Sequence, residues 1–330
     1  MKISEFQDEV EEVIPHSIGK ENWYKYICSY LFKEKISPTE RKMNIGIDLG
    51  GTKIQVGIEK DGEIIHQTKG LLKEKDSLTS TLDQVIQYIK PYMEYKVDGI
   101  GIGVPSVVDI EKGIVYNVTN IPSWKKVALK EILEKEFSLP VFVNNDVNCF
   151  VIGEHTFGVG KPFSSLVGMS IGTGLGSGVI IRNKLYAGVN CGAGEIGLLP
   201  YKDKNIEFYA SGNFFSSFYN TSALEAFKAA KQGNEEALHQ WREFGHHLGA
   251  AVQVVLYTYD PQAIVMGGSI AKAYEFFRES MEASFSDFIY PESIKKLKIF
   301  VSKNENIALL GAAALVDLSM EHVSGVVKSV

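Results

Sequence analysis

Asn44-Ile45-Gly46-Ile47-Asp48-Leu49-Gly50-Gly51-Thr52-Lys53-Ile54-Gln55-Val56-Gly57-Ile58-Glu59 is the stretch that decides the fold. A short apolar strand, Asn44 to Asp48, runs into a glycine turn, and Ile54 to Glu59 resumes as a second strand. Lys60-Asp61-Gly62 then turns the chain into a third strand, Glu63 to Thr68. The same order returns later in the chain. Ser165 to Ser170 is a strand that enters Gly172-Thr173-Gly174-Leu175-Gly176-Ser177-Gly178, Val179 to Arg182 is the next, Asn183-Lys184 turns, and Leu185 to Ala187 follows. Two copies of strand, glycine turn, strand, turn, strand imply a duplicated α/β domain. Two such halves facing each other leave a cleft with a glycine turn projecting from each side, a place suited to a nucleotide.

Working outward, a helix is expected from Ser77 to Tyr95, with Leu78, Leu82, Val85, Ile86 and Ile89 on one face. Gly99 to Val104 reads as a buried strand ending at Pro105, and Val147 to His155 as a helix after the strand that begins at Leu139-Pro140. The remainder is mostly helical. Glu235 to Tyr259 is one long helix, Ala263 to Met266 a strand, and Gly267-Gly268-Ser269 leads into a helix from Ala271. Lys298 to Ser302 is a last strand, and Ala308 to Leu318 a helix of small residues suited to close packing. Residues 1–42 read as a helical extension, with Trp23, Tyr24, Ile27, Leu31 and Phe32 at helical spacing and Ser37-Pro38 closing it. That extension fits either a cover over the main body or a dimer contact.

Composition limits what the chain can do. With 330 residues, 45% hydrophobic and 22% charged, it can bury more than one core. The net charge of −6, with no cluster of Lys and Arg, argues against duplex nucleic acid as a partner. Cys28, Cys149 and Cys191 are far apart and in no metal-ligand spacing, so they read as buried free thiols of a reducing compartment. The longest apolar stretch, Ile307 to Val316, is about half the ~20 residues of a spanning helix, so no membrane partner is expected. Met1 to Val13 is acidic and does not resemble a signal peptide, which makes the cytoplasm the expected compartment.

The chemistry-bearing residues sit on the repeated turns and on one strand end. In the first turn, Gly50 and Gly51 let the backbone approach phosphate oxygens, Thr52 and Lys53 can donate to them, and Asp48 can hold a hydrated Mg²⁺. In the second, Gly172, Thr173 and Gly174 offer backbone N–H groups and a hydroxyl. Asp146 follows the apolar strand in Val143-Asn144-Asn145-Asp146. Two roles fit it: the N-cap of the following helix, or the acceptor of a proton from a hydroxyl attacking a γ-phosphate. His246-His247 has no partner at helical spacing and reads as packing or surface, and Trp241, Tyr257 and Tyr259 read as core or interface aromatics.

Taken together these segments resemble the ROK family of repressors, open reading frames and kinases. The matching runs are Asp48-Leu49-Gly50-Gly51-Thr52-Lys53, Asn145-Asp146-Val147-Asn148-Cys149 and Ile171-Gly172-Thr173-Gly174-Leu175-Gly176. Gly192-Ala193-Gly194-Glu195-Ile196-Gly197, Asp260-Pro261 through Gly267-Gly268, and Ala308-Leu309-Leu310-Gly311-Ala312-Ala313 continue them in family order, covering nearly everything from Asn44 on. The resemblance implies an α/β, actin-like ATPase (ribonuclease H-like) duplicated fold with an interdomain cleft. It implies halves of 43–144 plus 308–330 and of 145–307 around that cleft, and a homodimer. As substrates it implies ATP with Mg²⁺ and a hexose-type sugar, phosphorylated at the primary C6 hydroxyl. By motif, Asp146 would be the catalytic base, Asn145, Glu195 and Glu207 would bind sugar, Gly267 and Gly268 would lie along the adenosine, and Asn120 would fall near the sugar. Sugar-responsive repressors are the family's other class, and they carry an N-terminal DNA-binding domain longer than residues 1–42.

One departure from the family pattern matters. Members commonly carry a histidine after the Glu-x-Gly motif and a three-cysteine cluster that together bind a structural zinc. Here Leu198 stands at the histidine position and no His or Cys occurs between it and Glu207, so this chain is expected to have no zinc site.

Overall fold

The computed structural model describes residues 42–325. The expected N-terminal helices and Cys28 lie outside the described residues, as do the last five residues. Two five-stranded sheets organise the rest, and they have the same topology. In the first, β1 (Met43–Leu49), β2 (Lys53–Lys60) and β3 (Glu63–Leu71) form an antiparallel meander, and β4 (Gly99–Val104) and β8 (Val141–Asn145) add in parallel, in the order β3-β2-β1-β4-β8. Between them β5 (Val107–Asp109), β6 (Ile114–Tyr116) and β7 (Lys126–Ala128) make a small separate sheet.

The second sheet repeats the plan with β9 (Leu166–Ile171), β10 (Leu175–Ile181), β11 (Lys184–Leu185), β14 (Ala263–Gly267) and β15 (Lys298–Val301), in the order β11-β10-β9-β14-β15. β12 (Pro200–Tyr201) and β13 (Lys204–Asn205) form a separate hairpin. The expected duplication is therefore present strand for strand.

The helices follow from the same local chemistry. Helix α1 (Leu78–Ile89) starts at Ser77, whose hydroxyl accepts from the Ser80 N–H at 3.2 Å. It stops short of the expected Tyr95 because Pro91 lacks an amide N–H, and Lys90–Glu94 tightens into a 3-10 turn. Next come α2 (Leu129–Phe137), α3 (Asp146–Thr156), α4 (Ile206–Tyr209), α5 (Gly212–Tyr219) and α6 (Ala223–Lys231). The long helix is α7 (Glu235–Tyr259), capped by the Asn234 side chain. A 3-10 turn (Ile270–Ala273) precedes α8 (Tyr274–Ala283), α9 (Pro291–Lys296) is short, and α10 (Ile307–Gly325) ends the described chain.

One expectation needs correction. The glycine-rich run from Gly172 to Gly178 is not one loop: the turn is confined to Gly172–Gly174, and β10 already begins at Leu175. Gly176 and Gly178 are paired strand residues, glycine because α3 lies directly on them; a Cβ at Gly178 would fall 2.7 Å from the Val151 side chain and 2.9 Å from the Val147 carbonyl oxygen. The motif is half phosphate-type turn and half helix-packing surface.

Each sheet has its own core. Ile45, Ile47, Val56, Ile102 and Val143 lie under the first, with Trp124 donating its indole N–H to Thr81 at 2.7 Å. Trp241, Phe214, Phe215, Phe244 and Phe277 cluster against the second. Joining them, α3 and α10 cross with backbones nearly touching: a Cβ at Gly311 would overlap the Cys149 carbonyl oxygen. Among the described residues no helix is long and apolar enough to cross a membrane.

Candidate active site

Strand β8 delivers Asn145 and Asp146 to the N-terminus of α3. Asn145, not Asp146, is the N-cap: its Oδ1 accepts from the N–H groups of Val147 at 2.9 Å and Asn148 at 3.3 Å. Its Nδ2 donates to the Ser106 carbonyl at 3.3 Å, leaving one amide hydrogen for a ligand. Asp146 is thereby relieved of capping. As the first helical residue it accepts from the Val147 N–H at 2.9 Å and turns its carboxyl to the cleft.

Two cavities of about 600 and 620 Å³ meet at Asp48, Lys53, Lys69 and Asp146. The first is lined by the glycine turn, Gly50, Gly51 and Thr52. The second runs along Gly267, Gly268 and Ser269 and past Lys272, Lys303 and Asn304. Burial, and then the charge of Asp48, push the Asp146 carboxyl from the usual 3.8 to about 6. Burial also raises Asp48, against which the charge of Lys69 acts in the opposite direction. Two carboxylates held close in a partly dry cleft place Asp146 in the range of a general base working near neutrality.

The second glycine turn lies beside this cleft. The Gly172 N–H donates to the Gly174 carbonyl at 2.9 Å, and Gly172 faces the Ser269 hydroxyl. Thr173 is exposed at its tip. Glu207, on α4, binds the turn directly, its Oε2 accepting from the Leu175 N–H at 2.9 Å. A side chain at Gly174 would collide with this carboxylate, 2.5 Å away. Glu195 is exposed and lines a third cavity of about 670 Å³ with Tyr186, Asn190 and Tyr259. Its carboxyl is raised by burial and then by the charges of Asp146 and Glu207. Asn120 is exposed and packs directly against Gly51 of the first turn. The ammonium of Lys75 holds the Gly51 carbonyl at 3.0 Å, so two loops brace that turn.

Several contributing residues had no local signal. Lys69, Ser269, Lys272, Lys303 and Asn304 enter the cleft only through the pairing of distant strands. Cys191 is another. It is buried in the left-handed region at φ 59°, where a non-glycine residue costs on the order of 1 kcal/mol. Its thiol donates to Asn144 Oδ1 and accepts from Asn148 Nδ2, both at 3.3 Å, which pins the loop bearing Glu195 to the element bearing Asp146. Cys191→Ala keeps the backbone cost and loses those contacts, so we expect a loss of about 1–2 kcal/mol in denaturant unfolding, with Cys191→Gly losing less. An alanine variant as stable as the parent would remove the pin.

His247 also does more than its neighbour His246. Its Nδ1 meets the Tyr201 hydroxyl at 3.2 Å, and the rings of Tyr201, Tyr209 and His247 pack edge-on or tilted against one another. Burial, then the charge of Lys202, lowers His247 to about 4, so it is neutral near pH 7. This aromatic clamp fixes the β12–β13 hairpin where the family's zinc loop was expected to be missing, and α4 with Glu207 follows that hairpin directly.

A model described as the ROK family matches residues 44–318. The chain belongs to the ROK family. A glucokinase of Thermotoga maritima is 29% identical over 310 residues, covering 82% of this chain and 96% of the relative. A xylose repressor of Bacillus spizizenii is 30% identical over 308 residues, covering 86% of this chain and 79% of the relative. A solved ROK family glucokinase from Streptomyces griseus, in complex with glucose and AMPPNP, matches with a TM-score of 0.73 and 26% identity, over 84% of this chain and 99% of that one. The ROK fold is that of the actin-like ATPases, and this chain carries two five-stranded sheets of the same strand order. ROK relatives of comparable similarity thus include both kinases and repressors.

Proposed function

We propose that this ROK protein is an ATP-dependent sugar kinase acting on a hexose-type sugar at its primary C6 hydroxyl. The observation that carries the reading is Asp146, freed from capping by Asn145, raised to about 6, and set where two cavities meet. The glucokinase relatives and the glucose and AMPPNP named with the Streptomyces griseus structure support it.

In this mechanism ATP lies along Gly267 and Gly268, with its phosphates between the two glycine turns. The sugar is held by Glu195, Glu207 and the free amide hydrogen of Asn145, groups able to accept from and donate to several hydroxyls at once. The halves 43–144 plus 308–330 and 145–307 close on both ligands and exclude water. Asp146 takes the hydroxyl proton as that oxygen forms its bond to the γ-phosphorus, and the bond from phosphorus to the β–γ bridging oxygen breaks to release ADP. The mutual repulsion of Asp48 and Asp146 fits a divalent cation, which Asp48 would hold through water and which would neutralise phosphate charge.

The xylose repressor similarity favours one other reading, a sugar-binding regulator. ADP release with MgATP across a panel of hexoses, N-acetylhexosamines and polyols separates the two. Turnover on one or two sugars establishes the kinase and names its substrate. Sugar binding by calorimetry with no turnover on any of them makes the protein a sensor.

A further inference from the structure

Asp48, Gln55 and Lys69 form one row across the first sheet: Asp48 pairs with Gln55 between β1 and β2, and Gln55 with Lys69 between β2 and β3. Residues in register on neighbouring strands share a face, at about 4.8 Å per strand. Lys69 therefore projects from the edge strand on the same face as Asp48, and it lines both cavities at their junction with Asp48 and Asp146. Its backbone is fixed. Gly70 beside it is paired to Ile54 and covered by the Tyr88 ring, and the Leu72 N–H donates to the Thr52 carbonyl at 3.0 Å. Gln55 between the two is occupied by its neighbours, donating to Gln67 at 2.8 Å and Asn306 at 2.9 Å.

Lys272 is paired with Glu305 at 2.9 Å, and Lys303 lies in the second cavity only. Lys53, the first residue of β2, also lines both cavities, at the end of the glycine turn, whereas Lys69 stands in the row of Asp48 on the edge strand. At the junction, two carboxylates meet an incoming γ-phosphoryl group that carries further negative charge. A cation held there by a rigid strand stabilises charge where it develops, with little reorganisation.

We propose that Lys69 is a catalytic residue that binds the γ-phosphoryl group and stabilises its transfer. The inference rests on the kinase reading for its catalytic half, whereas the γ-phosphate contact stands on the geometry of the cleft.

The test pairs kinetics with binding in the full-length protein. Lys69→Met is expected to lower kcat by about 10²–10³-fold, the size of losing one preorganised charge donor, with the sugar KM within threefold. Lys69→Arg should restore part of that loss. By calorimetry, Lys69→Met should weaken AMPPNP by about tenfold and ADP by less than threefold. Equal effects on AMPPNP and ADP, or none on either, would overturn the assignment, as would a kcat within threefold of the parent. Should the parent turn over no sugar at all, the kinase reading fails, and the ratio of AMPPNP to ADP affinities still decides whether Lys69 holds the γ-phosphate.

Discussion

Asp146→Asn should lose turnover and gain stability together. On the kinase reading Asp146 is the proposed general base, and removing it is expected to lower kcat by about 10²–10⁴-fold, leaving sugar binding largely intact. The gain follows from the same burial that tunes the base. The folded carboxyl titrates at about 6 rather than 3.8, so its protonated form favours the fold. That contribution is fully present below pH 3.8 and is lost as the pH rises through 6. At ~1.36 kcal/mol per pH unit, the ionised side chain costs the folded state about 3 kcal/mol at pH 8. An asparagine avoids the charge, so the variant should unfold about 1–3 kcal/mol higher at pH 8, with the gain vanishing near pH 4. Parallel melts at the two pH values read the difference. A variant less stable than the parent at pH 8 would show that this carboxylate is not strained by its surroundings, and near-normal turnover would take the base role from Asp146. In the parent, kcat/KM should fall as the pH drops below about 6, as the base becomes protonated.

Gly311→Ala is expected to be among the most damaging single methyl groups in the described fold. The added Cβ would overlap the Cys149 carbonyl and fall 2.6 Å from the Gly153 amide nitrogen, and both are backbone atoms of α3. Neither can rotate away, so α3 and α10 must separate. Overpacking of this kind costs about 1–3 kcal/mol, more where backbone must move, and we expect at least ~3 kcal/mol in denaturant unfolding. Because Asp146 opens α3, turnover should fall in the molecules that remain folded. A cost below ~1 kcal/mol would mean that the crossing tolerates expansion.

The strand, glycine-turn, strand units at Asn44 and Ser165 and the helix from Glu235 to Tyr259 were legible because each is specified by its own periodicity and turn residues. The break at Lys90 was also written locally, in Pro91, yet the apolar stripe concealed it. Gly176 and Gly178 read as loop from sequence because composition alone cannot distinguish glycine that frees a turn from glycine that admits a helix.

The candidate site divides along the same line. Asp48, Asp146 and the two glycine turns stand in contiguous motifs, and their residue types alone suggested phosphate and proton chemistry. Which of Asn145 and Asp146 caps α3 depends on which side chain reaches the free N–H groups, and only the folded backbone decides that. Lys69 joins Asp48 through a register spanning β2, Cys191 reaches Asn144 and Asn148 from a loop distant in the chain, and His247 meets Tyr201 from a helix far along the chain. Sequence by itself determined the duplicated α/β plan and the chemical types gathered in it, because turns and periodicity act over a few residues. The tertiary structure alone decided which charges face one another and how far their pKa values move, because burial and Coulomb energy depend on distance in space rather than along the chain.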